Sequence, residues 1–184
     1  LVSSYLYRDI LELDQVKKSQ KILKLLQLIA FQVGNDVSLA ELGQQLGLDQ
    51  KTVERYLDLL EKSFVLISVS GFSNNPRKEI SKRSRYYFYD MGVRNALIRN
   101  FNAFPFRNDQ GALWENYLVI ERVKKQAYFS IFSNHYFWRT YSQQEIDWVE
   151  EREGKLFAYE MKWGARTKCK IPPGWKKEYP DASF

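Results

Sequence analysis

The stretch QQEIDWVEEREGKLFAYEMKW, residues 143–163, decides how the second half of this chain is read. It reads as a β-hairpin, with Asp147 on one strand and Glu160, Met161 and Lys162 closing the other. Successive side chains on a strand alternate faces, so Glu160 and Lys162 project the same way. A two-residue loop at Glu153 and Gly154, or a four-residue loop at Glu151 to Gly154, puts Asp147 on that face too; an odd loop does so only with a bulge. Two converging carboxylates repel unless a cation or proton sits between them, and a lysine beside them can position an attacking water. That is the chemistry of a metal-dependent phosphodiesterase. The alternative is a surface hairpin in which Lys162 simply pairs with Glu160 or Asp147. Phe157, Tyr159 and Met161 line one face of the last run and Leu156 and Ala158 the other, so a central strand covered on both sides is expected. Charges that interrupt such a strand need partners or a metal.

Upstream of the hairpin, GALWENYLVIERVKK reads as a helix that buries Leu113, Trp114, Tyr117, Leu118 and Ile120. Glu115 lies at the edge of that face, either as an ordinary pair with Arg122 or as an acid that needs a partner in the core. Strand-like runs follow at 128–132 (YFSIF), 135–141 (HYFWRTY) and 146–149 (IDWV). Downstream come a basic loop, GARTKCK, the turn IPPG, a short helix GWKKEYP and the start of a further strand at Phe184.

The first half is helical. Residues 4–14 read as a short amphipathic helix; from Ser19, an N-cap, Ile22, Leu25, Leu26, Ile29 and Val33 recur at helical spacing until Gly34 stops the run. Ser38 caps a helix bearing Leu39, Leu42 and Leu46, Gly47 permits a tight turn, and Asp49 caps a helix bearing Val53, Tyr56, Leu57 and Leu60. Two helices joined by a glycine-containing turn make a helix-turn-helix, and with the strands Phe64–Val69 and Arg85–Tyr89 the sum is a winged helix. Its tip carries Arg77, Lys78, Lys82, Arg83 and Arg85 against Glu79, a composition suited to phosphates. On the second helix Lys51 and Arg55 are balanced by Glu54 and Asp58, so sequence-specific base reading is not expected. Asp90 opens another short helix, and the connector FNAFPFRND, around Pro105, marks the domain boundary, with Phe101, Phe104 and Phe106 expected to pack down.

Composition bounds the function classes. With 184 residues, 45% hydrophobic and 16% aromatic, the chain folds as one large or two small domains. A net charge of +6 suits a polyanion such as DNA, but 15 Lys+Arg against 11 Asp+Glu in residues 1–105 leaves the excess spread over both halves. Cys169 is the sole cysteine, which excludes an internal disulfide and a multi-thiolate zinc site and fits a reducing cytoplasm. His135 is the sole histidine, so a His-rich metal site is excluded; in SNHYFW it reads as structural. GxxxxGK[ST] and GxGxxG are both absent, so this chain has no ATP site of that kind. There is no membrane-length apolar run and no secretory signal, and the missing initiator Met reads as a fragment of a longer protein.

Helix, strands, Asp, hairpin and Glu-x-Lys in that order resemble the restriction-endonuclease-like, or PD-(D/E)xK, core, at Glu115, Asp147, Glu160 and Lys162. Ile146 stands where that motif often has Pro, and Glu145 is an alternative first acid. That resemblance implies Mg²⁺ or Mn²⁺ held by Asp147, Glu160 and Glu115, with Lys162 positioning or deprotonating water and the Met161 carbonyl as an extra ligand. Taken whole, YLYRDILE, LAELGQQLGLDQKTVERYLDLLEKSFVL, RYYFYDMGVRNAL, GALWENYLVIE, EIDWV, AYEMKWG and IPPGWKKEYPDASF resemble, in order and spacing, the C-terminal region of prokaryotic AAA+ ATPases, a domain of unknown function. The resemblance implies residues 1–18 as the tail of an upstream ATPase lid, 19–105 as a winged helix-turn-helix and 106–184 as a nuclease-like domain. That is an α+β or α/β chain with a mixed sheet flanked by helices. The expected partners are that ATPase, through which the protein would oligomerise, and DNA. Two functions follow as expectations: Mg-dependent cleavage of DNA, or a non-catalytic docking domain for DNA or protein on a degenerate nuclease fold.

Overall fold

The computed structural model describes residues 19–74, 83–164 and 169–184. The predicted helix at 4–14 and most of the basic tip, including Arg77, Lys78 and Lys82, lie outside the described residues. The fold is mixed, with six α-helices among the described residues and a five-stranded mixed sheet. The chain divides into two compact units, one of residues up to Ser68 with Tyr86–Arg107, the other of Val69–Arg85 with Asn108–Phe184.

In the first unit, α1 (Ser19–Phe31) buries Ile22, Leu25, Leu26, Ile29 and Ala30, the spacing of one helical face. Each such large aliphatic contributes about 1.5–3 kcal/mol by leaving water. The buried Arg94 donates from Nε to the Ala30 carbonyl at 3.0 Å, satisfying one of the acceptors that a helix end leaves open. Helix α2 (Leu39–Leu46) is capped by Ser38, which accepts the Glu41 N–H, and ends at Gly47 with φ 61°. Helix α3 (Gln50–Lys62) begins at Asp49, whose carboxylate accepts the Thr52 N–H at 2.9 Å. The turn between them is tight: a Cβ on Gly43 would lie 2.7 Å from the Leu48 carbonyl oxygen. Strands β1 (Leu66–Gly71) and β2 (Ser84–Phe88) follow, then α4 (Met91–Leu97), capped by Asp90, and a 3₁₀ turn at Phe104–Phe106. The connector does not pack down as expected. Phe101 and Phe106 are 71% and 83% exposed, and only Phe104 is half-buried.

The second unit is built on the sheet, in the order β2-β1-β3-β4-β5, to which β1 and β2 contribute their ends beyond Val69 and before Tyr86. Helix α5 (Gln110–Tyr128) leads to β3 (Asn134–Arg139), β4 (Glu145–Arg152), β5 (Lys155–Tyr159) and the short α6 (Pro173–Glu178). β3 runs parallel to β1 and antiparallel to β4, and β5 returns antiparallel to β4. Trp138, Ile146, Val149 and Ala158 form one core face, closed by Trp175 and Tyr179 at α6. The opposite face carries Trp148 and Glu150 toward α5, from which Arg122 bonds Glu150.

Several sequence expectations change here. YFSIF is not a strand: α5 runs to Tyr128, and Phe129 and Ile131 still donate N–H groups back to Lys125 and Gln126. On α5 the buried residues are Leu113, Asn116, Val119, Ile120 and Gln126, while Tyr117 is exposed and Trp114 and Leu118 are half-buried. The two-sided central strand is β4, buried without interruption from Ile146 to Glu150, whereas β5 closes the sheet order. A parallel bridge between Phe157 and Ser183 covers β5's outer edge. Leu156 and Ala158 pack on the cluster around Trp138, while Arg152 and Arg122 lie over the Phe157 and Tyr159 rings. Glu160 to Lys162 follow the end of β5, so these charges leave the ladder and do not break it.

Candidate active site

The hairpin loop has two residues, Glu153 and Gly154, with φ 50° and 71° between the paired Arg152 and Lys155. Two successive positive φ values are the mark of a type I′ turn, whose twist matches that of the strands. The register of this hairpin pairs Trp148 with Tyr159, which carries Glu160 to the level of Asp147. On the other side of β4, Tyr136 faces Val149 and Trp138 faces Ile146, so β4 holds one residue more than β3 across that step. A bulge of this kind re-aims a side chain. Asp147 lies within it.

Asp147 is 3% exposed. Its Oδ2 accepts the Met161 N–H at 2.8 Å and stands 3.8 Å from Lys162 Nζ, and its Oδ1 is 4.0 Å from Arg85 Nη1. Met161 thus meets the site through its N–H. Lys162 makes a close ion pair with Glu160 Oε1, while Glu160 Oε2 is buried and accepts no hydrogen bond. Arg85 bonds Glu145 Oε2 at 3.2 Å and lies over the Phe137 ring at 4.3 Å. Among the described residues, three carboxylates (Glu145, Asp147, Glu160) thus gather around two cations, Arg85 and Lys162.

Electrostatics follow from this imbalance. Burial pushes the Asp147 carboxyl above the usual carboxylate range, against the pull of the Met161 N–H, Lys162 and Arg85. Burial raises Glu160 as well, and the neighbouring Asp147 charge adds to it. Burial alone would lower Lys162, but the Glu160 hydrogen bond and the charges of Asp147, Glu160 and Glu145 hold its ammonium above the ordinary lysine range. Lys162 is therefore a fixed positive charge here.

A hard divalent cation suits this donor set in part. Two carboxylates offer oxygen ligands, and the unbonded, buried Glu160 Oε2 is an acceptor without a donor. The third expected ligand is not gathered with them: Glu115 is half-buried on α5, and among the described residues no three His, Cys, Asp or Glu side chains cluster tightly enough to hold a metal. Its proposed pairing with Arg122 is also replaced. Arg122 bonds the fully buried Glu150 through both nitrogens, Nη2 to Oε2 at 2.7 Å, and Glu150 further takes the Trp148 indole N–H at 2.9 Å. A tryptophan two residues from an acid, Trp148 and Glu150 on one strand face, was the available signal for this network.

The expected phosphate-facing cations divide. Lys51 and Arg55 are exposed on α3, and Arg83 is exposed before β2. Arg85 is not on the surface; at 3% exposure it is the partner of the acids, not of a phosphate. Its neighbours Tyr86, Tyr87 and Phe88, all buried, were the hint that the strand turns inward there. His135 is half-buried, bonded to Gln126 and Ser133 and 4.7 Å from the Trp148 ring, and burial lowers its pKa. Among the described residues no helix is long and apolar enough to cross a membrane.

Comparison with known proteins places the chain. The family profile described as Domain of unknown function (DUF8612) matches residues 1–103 of the 184. The chain belongs to this DUF8612 family. A second profile, Domain of unknown function (DUF4143), matches residues 110–183. The chain is 26% identical over 163 residues to uncharacterized protein Rv2008c of Mycobacterium tuberculosis and, equally, to uncharacterized protein Mb2031c of Mycobacterium bovis. Each match takes in 88% of this DUF8612 chain but 36% of the relative, so the chain spans about a third of the length of the curated relatives it matches. No solved structure matches it at a significant level.

Proposed function

We propose that this chain is a DNA-processing module of a larger AAA+ ATPase, with a phosphodiester-cleaving site at Asp147, Glu160 and Lys162. DUF4143 domains are commonly found with AAA ATPases, which supports the parent protein. Helices α2 and α3 with the strands β1 and β2 read as a winged helix, and α5 with β3 to β5 as a restriction-endonuclease-like core. The observation that carries the proposal is the convergence of the buried Asp147, the half-buried Glu160 and a protonated lysine, one Glu160 oxygen having no donor. Mg²⁺ or Mn²⁺ held by Asp147 and Glu160 would polarise a phosphodiester and acidify a bound water. The residues themselves do the rest: the Met161 N–H orients Asp147, Lys162 holds positive charge where a phosphate oxygen would lie, and Arg85 holds Glu145 beside Asp147.

A second reading is favoured by one observation, the placement of Lys162 between the two acids, which already compensates them. On that reading the fold is a non-catalytic docking domain, binding DNA through Arg83, Lys51 and Arg55. Incubation of the chain with supercoiled plasmid and Mn²⁺ separates the two. The cleaving site predicts nicking that Glu160→Ala reduces at least about 100-fold. Plasmid retained at low salt, released at higher salt and never cut is the outcome of the docking domain.

A further inference from the structure

The segment that carries the candidate site also carries Trp163, next to Lys162, and that ring meets a second aromatic pair on α5. Trp114 and Tyr117, three residues apart and so on one helix face, lie with ring centroids 5.7 Å apart and planes inclined by 29°. Trp163 meets Trp114 edge-on at 5.3 Å and 65°. The cluster is not a closed core: Tyr117 is 44% exposed and Trp163 46%. Large rings held by one another in fixed orientation, with one side open to solvent, offer a preorganised flat surface. Each ring takes any base on its π face without regard to sequence, and single-strand binding uses such rings alongside positive charge.

We propose that Tyr117 and Trp163, braced by Trp114, form a stacking platform for unpaired bases of a DNA strand whose backbone runs past Lys162. The inference rests on the reading of Asp147, Glu160 and Lys162 as a phosphodiester site, and it narrows that site's substrate to single-stranded or frayed DNA. In a duplex the base faces are buried against one another and cannot reach the rings without unpairing. Trp163 adjoins Lys162 in the sequence, so a strand stacked on Trp163 passes the segment that carries the ammonium.

The test uses the whole chain carrying Asp147→Asn, so that strands stay intact, and the anisotropy of a fluorescein-labelled oligothymidylate and of a blunt duplex of equal length. The expected result is tighter binding of the single strand, weakened roughly 5- to 150-fold by Trp163→Ala or Tyr117→Ala, the weight of one stacked base. Trp163→Phe, which keeps a ring, retains most of the affinity, and circular dichroism reports the fold of each variant. Equal affinity for both probes, no binding of either, or a Trp163→Ala chain that is folded and binds undiminished would overturn the platform. Single-strand binding that needs Trp163, in a chain whose parent never cuts, upholds the platform and removes the cleaving site.

Discussion

Glu150 is a buried acid and Glu160 a half-buried one, and their surroundings pull them in opposite directions. Burial would raise Glu150, but hydrogen bonds from Arg122 and Trp148 and the charges of Arg122 and Arg152 outweigh it and hold the carboxyl below its ordinary range. A depressed acid stabilises the fold above its unfolded pKa and loses that contribution as pH falls through its folded value. Glu160 is raised, so the native state holds its proton longer and stability falls as pH climbs from the ordinary glutamate range through the raised value. Denaturant unfolding as a function of pH should therefore show an acid-side loss that Glu150→Gln flattens. It should also show a loss on the rising side that Glu160→Gln flattens. Arg122→Ala leaves a fully buried carboxylate short of its main partner and should cost about 3 kcal/mol at neutral pH, the usual penalty for breaking a buried pair. A loss under about 1 kcal/mol would mean that Arg152 and Trp148 suffice. None of this was visible in spacing. The acid pair of 147 and 160 could be read from loop parity, but the cation that holds Glu145 and approaches Asp147 comes from Arg85, some sixty positions earlier, and only the sheet brings it there.

Among the elements, the β4–β5 hairpin was legible because a turn is local chemistry. Gly154 at φ 71° accepts a backbone that side chains resist, and nothing lies within 4 Å of where its Cβ would be. Gly154→Ala should thus cost about 1–2 kcal/mol from backbone strain alone. Glu153, at φ 50°, is the uncommon residue of the pair, and Glu153→Asn should stabilise the chain by about 0.5–1 kcal/mol. Thermal unfolding checks both, and a destabilised Glu153→Asn chain would show that the turn is not type I′ in solution. Helix caps at Ser38, Asp49 and Asp90 were readable for the same reason, since each serves N–H groups two or three residues ahead. The run at 128–132 was not. Its aromatics favour a strand, but α5 arrives with its hydrogen-bond ladder already formed and carries Tyr128 along, leaving Phe129 and Phe132 in solvent. The bulge opposite Tyr136 and Trp138 was equally hidden, because it depends on the partner strand's register.

At the scale of the whole molecule, the two family profiles meet between residues 103 and 110, and the chain passes from one compact unit to the other at Arg107 and Asn108. Order and spacing of helix- and strand-like stretches carried the architecture as α+β with a mixed sheet; chemistry was harder to read, because a site needs distances and not only residue types. The +6 charge suits DNA, yet it is the pair of desolvated, neighbouring carboxyls at Asp147 and Glu160 that makes a specific demand. Calorimetric titration of the chain with Mn²⁺ measures that demand most directly. The expected result is one site per chain, weakened at least about 10-fold by Glu160→Gln and by Asp147→Asn, and unaffected by Glu115→Gln, whose carboxylate is not gathered with the pair among the described residues. A chain that binds no Mn²⁺, or binds it equally after both carboxylates are replaced, would contradict it.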